Sequence, residues 1–127
     1  MKRRALLLLG SLLVASLGAS TSGCLSPTLP LPPPEEPDAI SVSGTADGFW
    51  EVRGTCTPGA RVLVKNLATG VIAGTDDKDY DGHYFIRIEA ELCDAAELYE
   101  VVGNNTSDGT FFVIQPQVNG QPDDSCQ

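Results

Sequence analysis

Positive charge, histidine and helical periodicity are what this sequence has least of. Its 127 residues carry 8 Lys and Arg against 17 Asp and Glu, with one histidine and one tryptophan. So few cations exclude nucleic acid as a partner, because phosphate affinity comes from clustered Lys and Arg that displace counterions. The same deficit excludes electrostatic docking on an anionic bilayer. One histidine and no Cys-x-x-Cys pair leave no zinc ligand set. No Gly-x-Ser-x-Gly elbow and no His-Glu-x-x-His motif occur, and His83 beside an acidic turn reads as a surface residue rather than a general base. A chain this short has little room for a substrate cleft as well as a core, so the expectation is that it is not an enzyme. No apolar run reaches the roughly 20 residues a transmembrane helix needs.

What is present begins with a leader. Lys2-Arg3-Arg4 precedes a leucine-rich apolar run, Ala5 to Leu17, and then the small residues Gly18 to Gly23. A charged start, a short apolar stretch and small residues before a cleavage point make a signal peptide. Two readings fit: ordinary secretion with cleavage after a small residue, or cleavage at Cys24 itself.

Ser22-Gly23-Cys24 resembles the end of a bacterial lipobox, although Thr21 stands where that motif usually has an aliphatic residue. The resemblance implies that residues 1–23 are removed and that the Cys24 thiol takes a diacylglyceryl group. The new amine would then be acylated, for instance with palmitate. More than one chain matters, since a single acyl chain anchors only reversibly. Leu25 stands where the family's inner-membrane retention signal has aspartate, which implies the outer membrane of a bacterial cell envelope. Without the leader the basic residues fall from 8 to 5 while all 17 acidic ones stay, a charge of −12.

Residues 24–38 read as a tether. Six prolines (27, 30, 32, 33, 34 and 37) fall between Leu25 and Asp38. Proline fixes φ and removes a donor, which favours an extended polyproline II segment of about 3.1 Å per residue. Pro30-Leu31-Pro32-Pro33 also carries the PxxP spacing of a peptide ligand, but a spacer fits the context better.

From residue 39 to 115 the pattern is strands and turns. Candidate strands are Ile40–Gly44, Phe49–Thr55, Arg61–Asn66, Val71–Gly74, His83–Ala90, Leu98–Gly103 and Thr110–Gln115, separated by Gly-, Pro- and Asp-rich turns. Ala90 to Glu97 could supply one short helical turn. Alternation within the strands places Trp50, Val52, Val62, Val64, Tyr84, Ile86, Ile88, Val101 and one face of Phe111–Ile114 in the core. Phe49, Phe85 and one of Phe111 and Phe112 then face outward, a possible binding patch. Short strands at regular spacing predict an all-β fold, a seven-stranded antiparallel sandwich. Residues 116–127 read as a polar tail.

Val52-Arg53-Gly54-Thr55-Cys56-Thr57-Pro58-Gly59-Ala60-Arg61-Val62 looks like the hairpin of bacterial immunoglobulin-like and carboxypeptidase-regulatory-like modules. Asp79-Tyr80-Asp81-Gly82-His83-Tyr84-Phe85 is similar to their turn into a strand. The resemblance implies an immunoglobulin-like sandwich and a spacer or recognition role, with no catalytic residues to carry over.

With Cys24 lipidated, Cys56, Cys93 and Cys126 remain, and three pairings are possible. Cys56–Cys93 is the expectation, because both flank predicted strands while Cys126 sits near the chain end. Asp77, Asp79 and Asp81 with Gly82 reproduce the start of a calcium loop. The EF-hand version fails, since Ile88 stands where the bidentate glutamate belongs. A weaker Ca²⁺ site is the alternative to a solvated acidic turn. The sequence therefore points to a membrane-anchored lipoprotein whose module serves adhesion, scaffolding or envelope structure. Its alternative is a calcium- or glycan-binding module using the Asp76–Asp81 turn.

Overall fold

The computed structural model describes residues 29–127, so the expected leader 1–23 and the expected lipidation site Cys24 lie outside the described residues. Ten strands form: β1 (Ala39–Val42), β2 (Phe49–Thr55), β3 (Arg61–Asn66), β4 (Ile72–Asp76), β5 (His83–Glu89), β6 (Ala95–Val102), β7 (Asn105–Thr106), β8 (Thr110–Val113), β9 (Gln117–Val118) and β10 (Gln121–Pro122). They make two antiparallel sheets packed as a β-sandwich. One has the order β10-β9-β1-β2-β5. The other runs β4-β3-β6, with β7 and β8 both pairing β6. Seven strands lie where alternation placed them, to within a few residues. β7, β9 and β10 are additions of two residues each.

Period-2 patterning explains the layers. β5 alternates strictly, with Tyr84, Ile86 and Ile88 buried between exposed His83, Phe85, Arg87 and Glu89. Its partner β2 buries Trp50, Val52 and Gly54. The facing sheet contributes Val62, Val64, Ala96, Leu98, Phe112 and Ile114. Each fully buried aliphatic side chain contributes about 1.5–3 kcal/mol relative to exposure. Gly54 is needed for close approach, because a Cβ there would lie 2.6 Å from the Tyr84 hydroxyl oxygen.

One core assignment is corrected. Val101 is half-buried, and Glu100 takes the inward position at 2 % exposure. β6 starts at Ala95, three residues before the expected Leu98, and its even-numbered residues Ala96, Leu98 and Glu100 all point inward. Placing Val101 inward put this strand one residue out of phase, because hydrophobicity could not announce that an inward position carries a carboxylate. The expected turn near Ala90 shrinks to a loop closed by Asp94 N–H donating to the Glu91 carbonyl at 3.1 Å.

Both flanks of the sandwich fold onto it. Residues 116–127, expected as a polar tail, form the β9–β10 hairpin through Asn119-Gly120, both at positive φ (50° and 72°). β9 extends the sheet beyond β1, pairing Gln117 with Ile40. At the other end of the chain, Pro34 and Pro37 of the tether are buried. The Thr110 hydroxyl donates to the Pro34 carbonyl and the Gln117 side-chain amide to the Pro37 carbonyl.

The cysteine pairing is also corrected. Cys93 bonds Cys126 with a Cα–Cα distance of 5.4 Å, and Cys56 has no disulfide partner among the described residues. Cys56 follows the end of β2, where its N–H donates to the Gly82 carbonyl just before β5, while Cys93 follows the far end of β5. The seven residues of β5 separate them by about 20 Å at 3.3 Å per residue, far beyond disulfide reach. The folded-back tail brings Cys126 to Cys93 instead.

Candidate functional site

The residues singled out for chemistry gather at the end of the sandwich where β2 leaves for β3 and β4 leaves for β5. Cys56 to Ala60 makes the first connection and Asp77 to Gly82 the second. Asp77 ties them together. Its Oδ2 accepts the N–H groups of Gly59 (3.0 Å) and Gly82 (2.9 Å), its Oδ1 that of Asp81 (3.3 Å), and its own N–H donates to the Ala60 carbonyl (2.9 Å). The Gly59 N–H, followed by those of Gly82 and Asp81, holds the Asp77 carboxyl below the usual carboxylate range, against the opposing effect of burial. Asp77 is 6 % exposed, whereas Asp79 and Asp81 are exposed. Asp81 turns a carboxylate oxygen back onto the His83 N–H at 2.9 Å.

The three aspartates expected as a calcium set are therefore not brought together as one. Asp77 points into the turns with both oxygens on backbone amides. Among the described residues no group of three His, Cys, Asp or Glu side chains is arranged to hold a metal. The D-x-D-x-D-G spacing reports a loop clamp: the first aspartate, Asp77, gathers the amides of two turns, as Asn and Asp side chains commonly do.

Beside this clamp lies a groove of about 300 Å³ lined by Pro32 to Glu35 on one side and by Thr55, Cys56, Thr57 and Glu100 on the other. Glu100 accepts from the Thr57 N–H (2.9 Å) and the Thr57 hydroxyl (2.5 Å), while its own N–H donates to the Ser107 hydroxyl (2.9 Å). Burial of Cys56, followed by the charges of Asp77, Glu100 and Asp81, pushes its thiol up to about 11. A thiol held neutral in this way is a poor nucleophile, because the thiolate is the reactive form. His83 lies on the outward face of β5, so it cannot serve Glu100 or Cys56 from within the groove. The groove thus has the chemistry of a structural joint between tether and sandwich.

Sequence reasoning missed Glu100 and Thr57, since nothing in their spacing marks a pair 43 residues apart. It missed Cys126 although the hairpin that delivers it carries Asn-Gly, a strong two-residue turn signal. A second buried polar joint, Asn66, was read only as the end of a strand. Its side-chain amide donates to Asp94 (2.8 Å) and to the Glu89 carbonyl (3.3 Å), and its oxygen accepts the Ala68 N–H (2.9 Å).

The outward aromatics do not form one patch. Phe49 and Phe85 lie on the outer face of the β1-β2-β5 sheet, and Phe111 on that of the other. Phe85 is covered in part by Arg53, whose guanidinium carbon sits 4.8 Å from the ring centroid. Among the described residues no helix is long and apolar enough to cross a membrane. No known protein family, curated protein or solved structure matches this chain.

Proposed function

We propose that this chain is a lipid-anchored lipoprotein of the bacterial cell envelope, at the outer membrane. Its β-sandwich is a non-catalytic module for adhesion, scaffolding or envelope structure. The observation that carries this reading is the order of its parts. A signal-type leader leads to Ser22-Gly23-Cys24, a proline-rich segment follows, and a small disulfide-bearing β-sandwich comes after it. A disulfide supports export, since such bonds persist in oxidising compartments outside the cytosol. Cys93 and Cys126 satisfy each other, so neither of them needs a bond to Cys24. The neutral Cys56 thiol and the fully engaged Glu100 support the non-catalytic part of the reading. The strand order supports an immunoglobulin-like module, with β1-β2-β5 in one layer and β4-β3-β6-β8 in the other.

The tether is shorter in this reading than proline content alone implies. Pro34 and Pro37 belong to the sandwich, so the free span runs from Cys24 to about Pro33. At about 3.1 Å per residue that is roughly 30 Å. The calcium alternative draws no support from a turn whose first carboxylate, Asp77, already accepts three backbone N–H groups.

The deciding experiment is membrane fractionation of wild type and Cys24→Ala, with the intact mass of each mature protein. Wild type should sediment with membranes and carry acyl mass on an N-terminal Cys24. Cys24→Ala should lose that mass and no longer fractionate as the acylated form. A wild-type protein recovered without acyl mass refutes the reading.

A further inference from the structure

Of the sheet edges, β5 is the one built to be paired. β10 is two residues long and ends in Pro122, β4 is interrupted by Gly74, and β7 and β8 are short pieces divided at Ser107 to Gly109. β5 runs seven residues without glycine or proline and pairs β2 along its whole length on one side only. Long open edges of this kind are templates for further strands, and proteins usually blunt them.

The direction of each backbone group follows from the ladder. Cys56 N–H donates to the Gly82 carbonyl (2.8 Å) and Ala90 N–H to the Gly48 carbonyl (3.1 Å). In an antiparallel pair such bonded positions alternate, so the even-numbered residues of β5 bond β2 and the odd-numbered ones turn their N–H and C=O outward. Two of those outward groups are already taken: the His83 N–H by Asp81 (2.9 Å) and the Glu89 carbonyl by the Asn66 amide (3.3 Å). Left open are the His83 carbonyl, both groups of Phe85, both groups of Arg87, and the Glu89 N–H.

That remainder is self-complementary. A two-fold axis at Ile86 sets Phe85 opposite the second copy's Arg87 and His83 opposite its Glu89. Each Phe85–Arg87 pair can exchange two hydrogen bonds. Each Glu89 N–H meets a His83 carbonyl, and the two capped groups fall opposite each other, where neither is needed. On the outer face each Arg87, whose guanidinium lies 3.5 Å from Glu51 of its own chain, would stand opposite the second copy's Phe85, itself flanked by Arg53, and each Glu89 opposite a histidine. We propose that two copies of this chain pair antiparallel through β5, joining their β1-β2-β5 sheets into one continuous sheet. The inference does not depend on the lipid at Cys24. Each chain carries a formal charge of −9 with residues 1–23 and −12 without them, so self-repulsion opposes association and added salt should strengthen it.

The test is sedimentation equilibrium of the full chain, with amide exchange read residue by residue. The average mass should climb from one copy toward two as concentration rises to ~1 mM. The amides of Phe85, Arg87 and Glu89 should gain protection over the same range. Phe85→Pro removes an N–H that β2 does not use, so it should leave a folded monomer. Phe85→Arg, which sets two arginines face to face, should also abolish the dimer, and adding Arg87→Phe should restore it. This swap decides the matter if the proline variant fails to fold. A wild type that stays at one copy's mass overturns the proposal, even if an added extended peptide protects the same amides. So does a dimer that survives Phe85→Arg.

Discussion

Removing the Cys93–Cys126 bond is the perturbation whose size the structure fixes best. The bond spans 33 residues of sequence. In the chain-entropy treatment, closing a loop of that length removes about 12 cal/mol/K from the unfolded chain, or about 3–4 kcal/mol at 25 °C. For a domain of about 95 residues each kcal/mol is worth about 4–8 °C of melting temperature, so Cys126→Ala should melt about 15–25 °C below wild type. Hydrogen exchange should show β9 and β10 opening first, because they hold only short ladders to β1. Cys93 adds a second handle, since it sits at φ 71°, a conformation that costs a non-glycine residue about 1 kcal/mol. Cys93→Gly should therefore recover about 1 kcal/mol relative to Cys93→Ala, although both lose the same cross-link. Cys56→Ala should preserve the bond. Thermal melts of the four variants, with peptide mapping of the native disulfide, settle the matter. If Cys126→Ala melts with wild type while Cys56→Ala collapses, the pairing argued here is wrong.

Three further outcomes follow from buried polar groups. Glu100→Ala strands the Thr57 N–H and hydroxyl without acceptors, so it should cost about 2–4 kcal/mol in urea unfolding, with the m-value unchanged. Asp77 has a lowered folded pKa, so its contribution is present above the unfolded carboxylate pKa and is lost as pH falls through the folded value. Asp77→Asn should remove that part of the acid dependence, and a melting curve in millimolar Ca²⁺ should coincide with one in chelator. The Cys56 thiol, raised from 9.0 to about 11, should have ~100-fold less thiolate than an ordinary cysteine at pH 8. Maleimide labelling should be correspondingly slow and should accelerate toward pH 11.

Alternation in β2, β3 and β5 was sufficient to read strand boundaries, facing and most of the core, because side-chain direction in a strand has period two and needs only local sequence. The leader lies outside the described residues, and the tether reading, drawn from composition, did not foresee that Pro34 and Pro37 pack into the sandwich. Three further things were not legible. Which cysteines meet depends on where β5 puts its two ends and on a hairpin that folds back over β1. Whether Asp77 binds a cation or clamps two turns depends on Gly59, 18 residues away, presenting its amide. Whether the inward position of β6 holds valine or glutamate turned on the start of that strand, and Glu100 is tolerated there because Thr57 supplies its donors. The sequence by itself determined which residues alternate and where the chain turns. Tertiary structure alone decided the disulfide, the two carboxylate joints and the open β5 edge, because each requires groups distant in sequence to be brought within bonding distance.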